Sequence, residues 1–154
     1  MQILHVIHAA PSHGWLRLAV TAEGKTIEID GSDVPNNPVQ ELIAALDLAA
    51  MGSDALVWWN LEPDGYFMHF IPKAGKVVLR IDHAVNSQRS RSATVLSVSG
   101  TSEQILLPFW RFVREFQSHN FQEPHWPPVE FGRLPAIKGN IGVPREVSQE
   151  TPPK

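Results

Sequence analysis

Ala55-Leu56-Val57-Trp58-Trp59-Asn60, Tyr66-Phe67-Met68-His69-Phe70-Ile71-Pro72 and Lys76-Val77-Val78-Leu79-Arg80-Ile81-Asp82 are three apolar runs separated by Pro63-Asp64-Gly65 and Ala74-Gly75. Aromatic and β-branched runs bounded by turn residues read as strands, and connections this short join neighbours antiparallel. A two-residue Ala74-Gly75 loop sets Met68 opposite Ile81 and His69 opposite Arg80. One face then carries Tyr66, Met68, Phe70, Val77, Leu79 and Ile81, and the other Phe67, His69, Ile71, Val78, Arg80 and Asp82. Trp58 and Trp59 are consecutive, so one indole faces the core and its neighbour faces away. Trp59 is the indole expected at the outward patch, which either the C-terminal arm or a partner covers.

Working outward, residues 2–8, 15–21, 26–30 and 93–99 also alternate and read as strands. A Glu23-Gly24 loop pairs Leu18 with Ile29 on an apolar face and Arg17 with Asp30 on the other. Asn37-Pro38-Val39-Gln40 opens a helix, with Asn37 as cap, Pro38 at the first position and Gln40 reaching back as in a capping box. Val39, Leu42, Ile43, Leu46, Ala49 and Ala50 form its apolar stripe, and Gly52 ends it. A second helix carries Ile105, Phe109, Phe112, Val113 and Phe116 and runs through Ser118. Pro108 within it implies either a start near Leu107 or a kinked opening. The expectation is an α+β fold: an antiparallel, meander-like sheet of about six strands, two helices on one face, and an extended Pro-rich C-terminal arm. Residues 1–118 form the single domain, 119–142 the arm packed on it, and 143–154 a flexible tail.

Composition narrows the chemistry. The chain has 154 residues and no Cys, which excludes disulfides, thiolate nucleophiles and Cys-ligated metals. No apolar run approaches bilayer length, and the opening Met1–His8 lacks a basic n-region, so neither a membrane segment nor a signal peptide is expected. A cytoplasmic protein follows as the expectation. The first 70 residues carry nine acids against Arg17 and Lys25, a charge of −7, whereas the remainder holds eleven basic and seven acidic residues, or +4. Such a split disfavours phosphate at the acidic half and favours a cationic partner there.

Histidines give no metal motif. His5 and His8 point to opposite faces of a strand, and no His-x-x-x-His occurs on a helix. No Gly-x-Ser-x-Gly elbow and no Gly-rich phosphate loop is present, and Arg89, Arg91, Arg111 and Arg114 lack the interleaved aromatics of a nucleic-acid module. No cofactor and no nucleic acid are therefore expected. His69, Arg80 and Asp82 share the outer sheet face as a small polar cluster, and Glu62 and Asp64 flank the neighbouring turn.

The Trp15 hairpin, the Asn37-Pro38 helix, the Glu62-Pro63-Asp64-Gly65 turn between strands and the aromatic-rich last helix together resemble the small bacterial immunity proteins of contact-dependent and polymorphic toxin systems. That resemblance implies a stoichiometric, non-catalytic binder that masks a toxin's active site, with acidic groups facing a basic enzyme. The expected function is therefore protein binding, through Trp59, Glu62, Asp64, His69, Arg80 and Asp82. Two alternatives stand beside it: a small hydrolase-like enzyme built on His69, Arg80 and Asp82, and an assembly subunit that docks through its C-terminal arm.

Overall fold

The computed structural model describes residues 2–88 and 91–143. Its fold is α+β, with seven strands in one open antiparallel sheet ordered as they occur in the chain. They are β1 (Leu4–His8), β2 (Trp15–Ala22), β3 (Lys25–Ser32), β4 (Ala55–Asn60), β5 (Gly65–Lys73), β6 (Lys76–Ala84) and β7 (Ser92–Gly100). The expected count of about six thus becomes seven, and the meander is complete. Both tight hairpins turn on paired positive-φ residues, Glu23 (53°) with Gly24 (77°) and Ala74 (49°) with Gly75 (84°). That conformation matches the right-handed strand twist and fixes the register. Leu18 accordingly faces Ile29, Arg17 faces Asp30, and Met68 faces Ile81.

The sheet has one weak joint. β3 meets β4 only where Ser32 pairs with Asn60. Beyond that pair, side chains take the place of the missing strand: Trp58 N–H donates to Glu41 Oε1 (3.1 Å) and Asn36 Nδ2 donates to the Trp58 carbonyl (2.9 Å). A buried strand edge must satisfy these groups somehow. At the other end of β3, Lys25 Nζ donates to the Val95 carbonyl of β7 (3.5 Å). In a flat sheet those strands would lie four spacings, about 19 Å, apart. The sheet therefore curls back on itself.

The inner face of this curl is the core. Helix α1 (Pro38–Ala50) is capped as expected, Asn37 Oδ1 accepting from Val39 N and Gln40 N, and Gly52 (φ 93°) closes it. Gln40 departs from expectation. Its side chain does not reach back to the cap but brackets the Glu130 backbone, Oε1 accepting from Glu130 N (2.7 Å). Helix α2 (Ser102–His119) begins well before Leu107 and passes through Pro108, which is buried in the core. The Thr101–Gln104 capping box secures its first turn ahead of the proline. Phe109 stacks edge-on against Phe70 at 5.3 Å, joining α2 to the sheet.

The segment after α2 is not wholly extended. It contains a third helix, α3 (Leu134–Asn140), beyond the two expected. Trp126, Leu134, Ile137 and Ile141 from this segment are buried in the same core. Polar bonds fix it from outside: Trp126 Nε1 donates to Asn37 Oδ1 (3.1 Å), Trp110 Nε1 donates to the Leu134 carbonyl (2.9 Å), and Arg133 grips Asp47 through Nε (2.9 Å) and Nη2 (3.0 Å). That bidentate bond and its charge hold the Asp47 carboxyl below the usual range and raise Arg133. The tail expected over 143–154 lies, Val143 apart, outside the described residues, as does Arg89. Among the described residues no helix is long and apolar enough to cross a membrane.

Candidate functional site

Trp59 does not occupy the outward position expected for it. It is 0% exposed on the inner face, close enough to Gly31 that a Cβ there would strike its ring. Both tryptophans are apolar enough for either face, so alternation alone could not orient the pair. Trp58 is the outward indole. It is itself buried, packed at 4.7 Å on Phe67 in a small second cluster with Ala84. Gly65 makes room for it, since a side chain there would overlap the Trp58 ring and the Trp59 carbonyl.

The register places the remaining expected residues in two groups. His69, Arg80 and Asp82 meet on the outer face, as predicted. Arg80 Nη2 lies 3.5 Å from His69 Nδ1, and His69 Nε2 lies 3.5 Å from Asp54 Oδ2. Arg80 Nε approaches Asp82 Oδ1 at 3.3 Å, an ion pair whose geometry falls short of a hydrogen bond. Thr94 Oγ1 donates to the same Asp82 oxygen at 2.7 Å. Asp82 is buried, and a carboxylate there needs these partners. Leu56, 41% exposed, sits across from His69 in the neighbouring strand. Together they form a cross-strand ladder on an open face.

Glu62 and Asp64 lie beyond the Trp58–Phe67 row, at one corner of the sheet. Ser32, Asn60, Gly65 and Ala84 form a continuous cross-strand row there. Trp15 lies opposite Ser32. Besides Asp82 of the ladder, four acids fall within two positions of that row: Asp30, Asp33, Glu62 and Asp64. Asp64 Oδ2 pairs with His83 Nε2 (2.8 Å), and Asp30 faces Arg17 at 3.9 Å. Asn60 Nδ2 donates to the Val34 carbonyl (2.8 Å), which ties the Val34 loop to this corner. The Asp33 carboxylate lies over Gly14, where a Cβ would strike it, beside Trp15. Two apolar side chains at this end of the sheet stand in solvent: Trp15, 38% exposed, and Val34, 57% exposed. Sequence reasoning missed them as site residues. The β2–β3 register already aimed Trp15 outward with Arg17, but nothing in the sequence showed that β3 would deliver it to the Glu62–Asp64 turn.

The prominent clefts lie elsewhere. One, of about 720 Å3, runs between the end of α2 and the following segment, lined by Phe116, Phe121, Trp126 and Pro128. Another, of about 610 Å3, lies between the end of α1, the β5–β6 turn and the start of α2. Among the described residues no group of three or more His, Asp or Glu is placed to hold a metal ion. No protein family matches the chain, and no curated protein or solved structure is similar to it.

Proposed function

We propose that this is a non-catalytic protein-binding protein of the immunity type, which masks a basic surface of a toxin or effector with the corner built from Trp15, Val34, Asp30, Asp33, Glu62 and Asp64. The observation that supports this reading best is the exposure of Trp15 and Val34 at a sheet end whose strand termini carry Asp30, Asp33, Glu62 and Asp64. An exposed indole at an acidic end of the sheet has the composition of a binding hot spot, where the aromatic supplies affinity and the acids steer the encounter. The outer-face ladder of His69, Arg80 and Asp82 has its charges turned toward one another, which suits a flanking contact surface better than turnover of a small substrate. A bacterial cytoplasm, where a reduced, Cys-free chain would meet such a toxin before release, is the setting this implies.

Affinity capture with purified wild-type protein, Trp15→Ala and the exposed-charge variant Asp30→Asn/Glu62→Gln tests the proposal. The wild type should retain one basic protein that Trp15→Ala fails to hold. Its association rate should drop about tenfold between low and high salt, and the charge variant should flatten that dependence. Equal retention by both variants, or an association rate indifferent to salt, would refute the reading.

A further inference from the structure

A second surface carries the opposite charge. Arg111 and Arg114 stand one turn apart on the solvent side of α2, and neither has an ion pair among the described residues. The acid best placed to neutralise Arg111 within the helix is Glu115, four residues on. Glu115 Oε1 lies instead 3.3 Å from Nε2 of His8 in β1. Like charges at this spacing repel, and neither guanidinium closes an ion pair with a carboxylate of the helix. Next to it, Trp110 is only partly buried. Its indole N–H is tied to the Leu134 carbonyl, and Lys138 Nζ sits 5.1 Å above its ring. A third cation thereby joins the two arginines. The surface between α2 and α3 is a shallow cleft of about 780 Å3, lined by Trp110, Arg114, Phe131, Leu134 and Pro135 among others, while Arg111 lines a separate depression with Gln2, Glu103 and Gln104.

We infer that this α2–α3 face is a second docking surface, and that its occupant is an acidic, amphipathic segment of a partner protein. Paired carboxylates one turn or one strand step apart would meet Arg111 and Arg114, with Lys138 at the rim. An apolar side chain between them would enter the cleft against Phe131 and Leu134. Guanidinium groups form planar, bidentate bonds to carboxylates, which makes a peptide carboxylate a good match for two unpaired arginines. The face shares no residue with the acidic corner. The two surfaces would thus engage partner regions of opposite sign.

The test is fluorescence anisotropy with a short fluorescein-labelled peptide of aspartate and glutamate around a single leucine. It uses the full chain, Arg111→Gln/Arg114→Gln, and Trp15→Ala. Saturable binding is expected for the wild type and for Trp15→Ala, weakened about tenfold or more by the double arginine variant. Circular dichroism establishes that the variant remains folded, as exposed helix positions allow. Absence of saturation up to about 1 mM peptide, or identical binding by the arginine variant, overturns the inference. So does undiminished binding when glutamine replaces the peptide's leucine. Tighter binding of an oligouridine than of the peptide overturns it as well, because the face would then be a polyanion surface. Because Trp15→Ala leaves this face intact, its failure and that of the acidic corner are read separately.

Discussion

Asn37 performs two tasks with one oxygen, and their separation is measurable. Its Oδ1 accepts from Val39 N (3.2 Å) and Gln40 N (3.3 Å), capping α1, and also from the indole N–H of Trp126 (3.1 Å), which is 0% exposed. Asn37→Ala removes a helix cap, costing about 1 kcal/mol. It also leaves a buried indole donor without its acceptor, costing about 1–3 kcal/mol. The expected loss is about 2–4 kcal/mol. Asn37→Asp keeps the acceptor and places a negative charge at a helix N-terminus, so it should cost under about 1 kcal/mol despite losing the bond from Nδ2 to the Pro128 carbonyl. In a Trp126→Phe background the indole donor is gone, and Asn37→Ala should cost only the cap. Urea unfolding followed by far-ultraviolet circular dichroism gives all four corners of this double-mutant cycle. The coupling energy should be about 1–3 kcal/mol. A coupling under about 0.5 kcal/mol, or an Asn37→Asp loss equal to that of Asn37→Ala, would refute the claim that this oxygen joins the helix start to the C-terminal segment.

Two further outcomes follow from the same structure. Gly65→Ala should destabilise by several kcal/mol, on the order of a severely overpacked core site, because the added carbon meets the Trp59 carbonyl and the Trp58 ring rather than a movable side-chain end; a denaturation midpoint within error of the wild type would refute this. Asp47→Asn should reshape the acid limb of stability. Arg133 depresses the Asp47 pKa in the folded state, so its contribution is present above the unfolded value near about 4 and is lost as pH falls through the lower folded value. The gap between wild type and Asp47→Asn should therefore be widest at neutral pH and narrow as pH falls below the usual carboxylate range; a gap that is constant or grows on acidification contradicts the assignment.

Local chemistry made much of this fold legible. The hairpin registers follow from two loops of two residues each, in which Glu23-Gly24 and Ala74-Gly75 impose one twist and one pairing. The cap at Asn37 and the Gly52 stop are equally local. Non-local consequences were hidden. Which of Trp58 and Trp59 faces the core depends on the β4–β5 register across a turn longer than two residues, which sets Trp59 opposite Tyr66 and Trp58 opposite Phe67. α3 has seven residues, with Pro135 at its start and Gly139 near its end, too few for a helical period to emerge. The row that sets Trp15 and the Glu62–Asp64 turn at one end of the sheet needs three strands in register, whereas the His69–Arg80–Asp82 ladder needs only one hairpin. The ladder was accordingly visible in the sequence and the corner was not.

Every strand in this sheet pairs with its neighbour in sequence, so each hairpin can close as soon as it leaves the ribosome. Trp126, Leu134, Ile137 and Ile141 emerge last of the buried set, yet they seat against helices made long before. A nascent chain halted near His119 would hold a finished sheet beneath greasy, unroofed helices, an invitation to chaperones and to self-association. Docking of the segment after His119, rather than completion of the sheet, is then the moment at which this protein becomes safe to its cell.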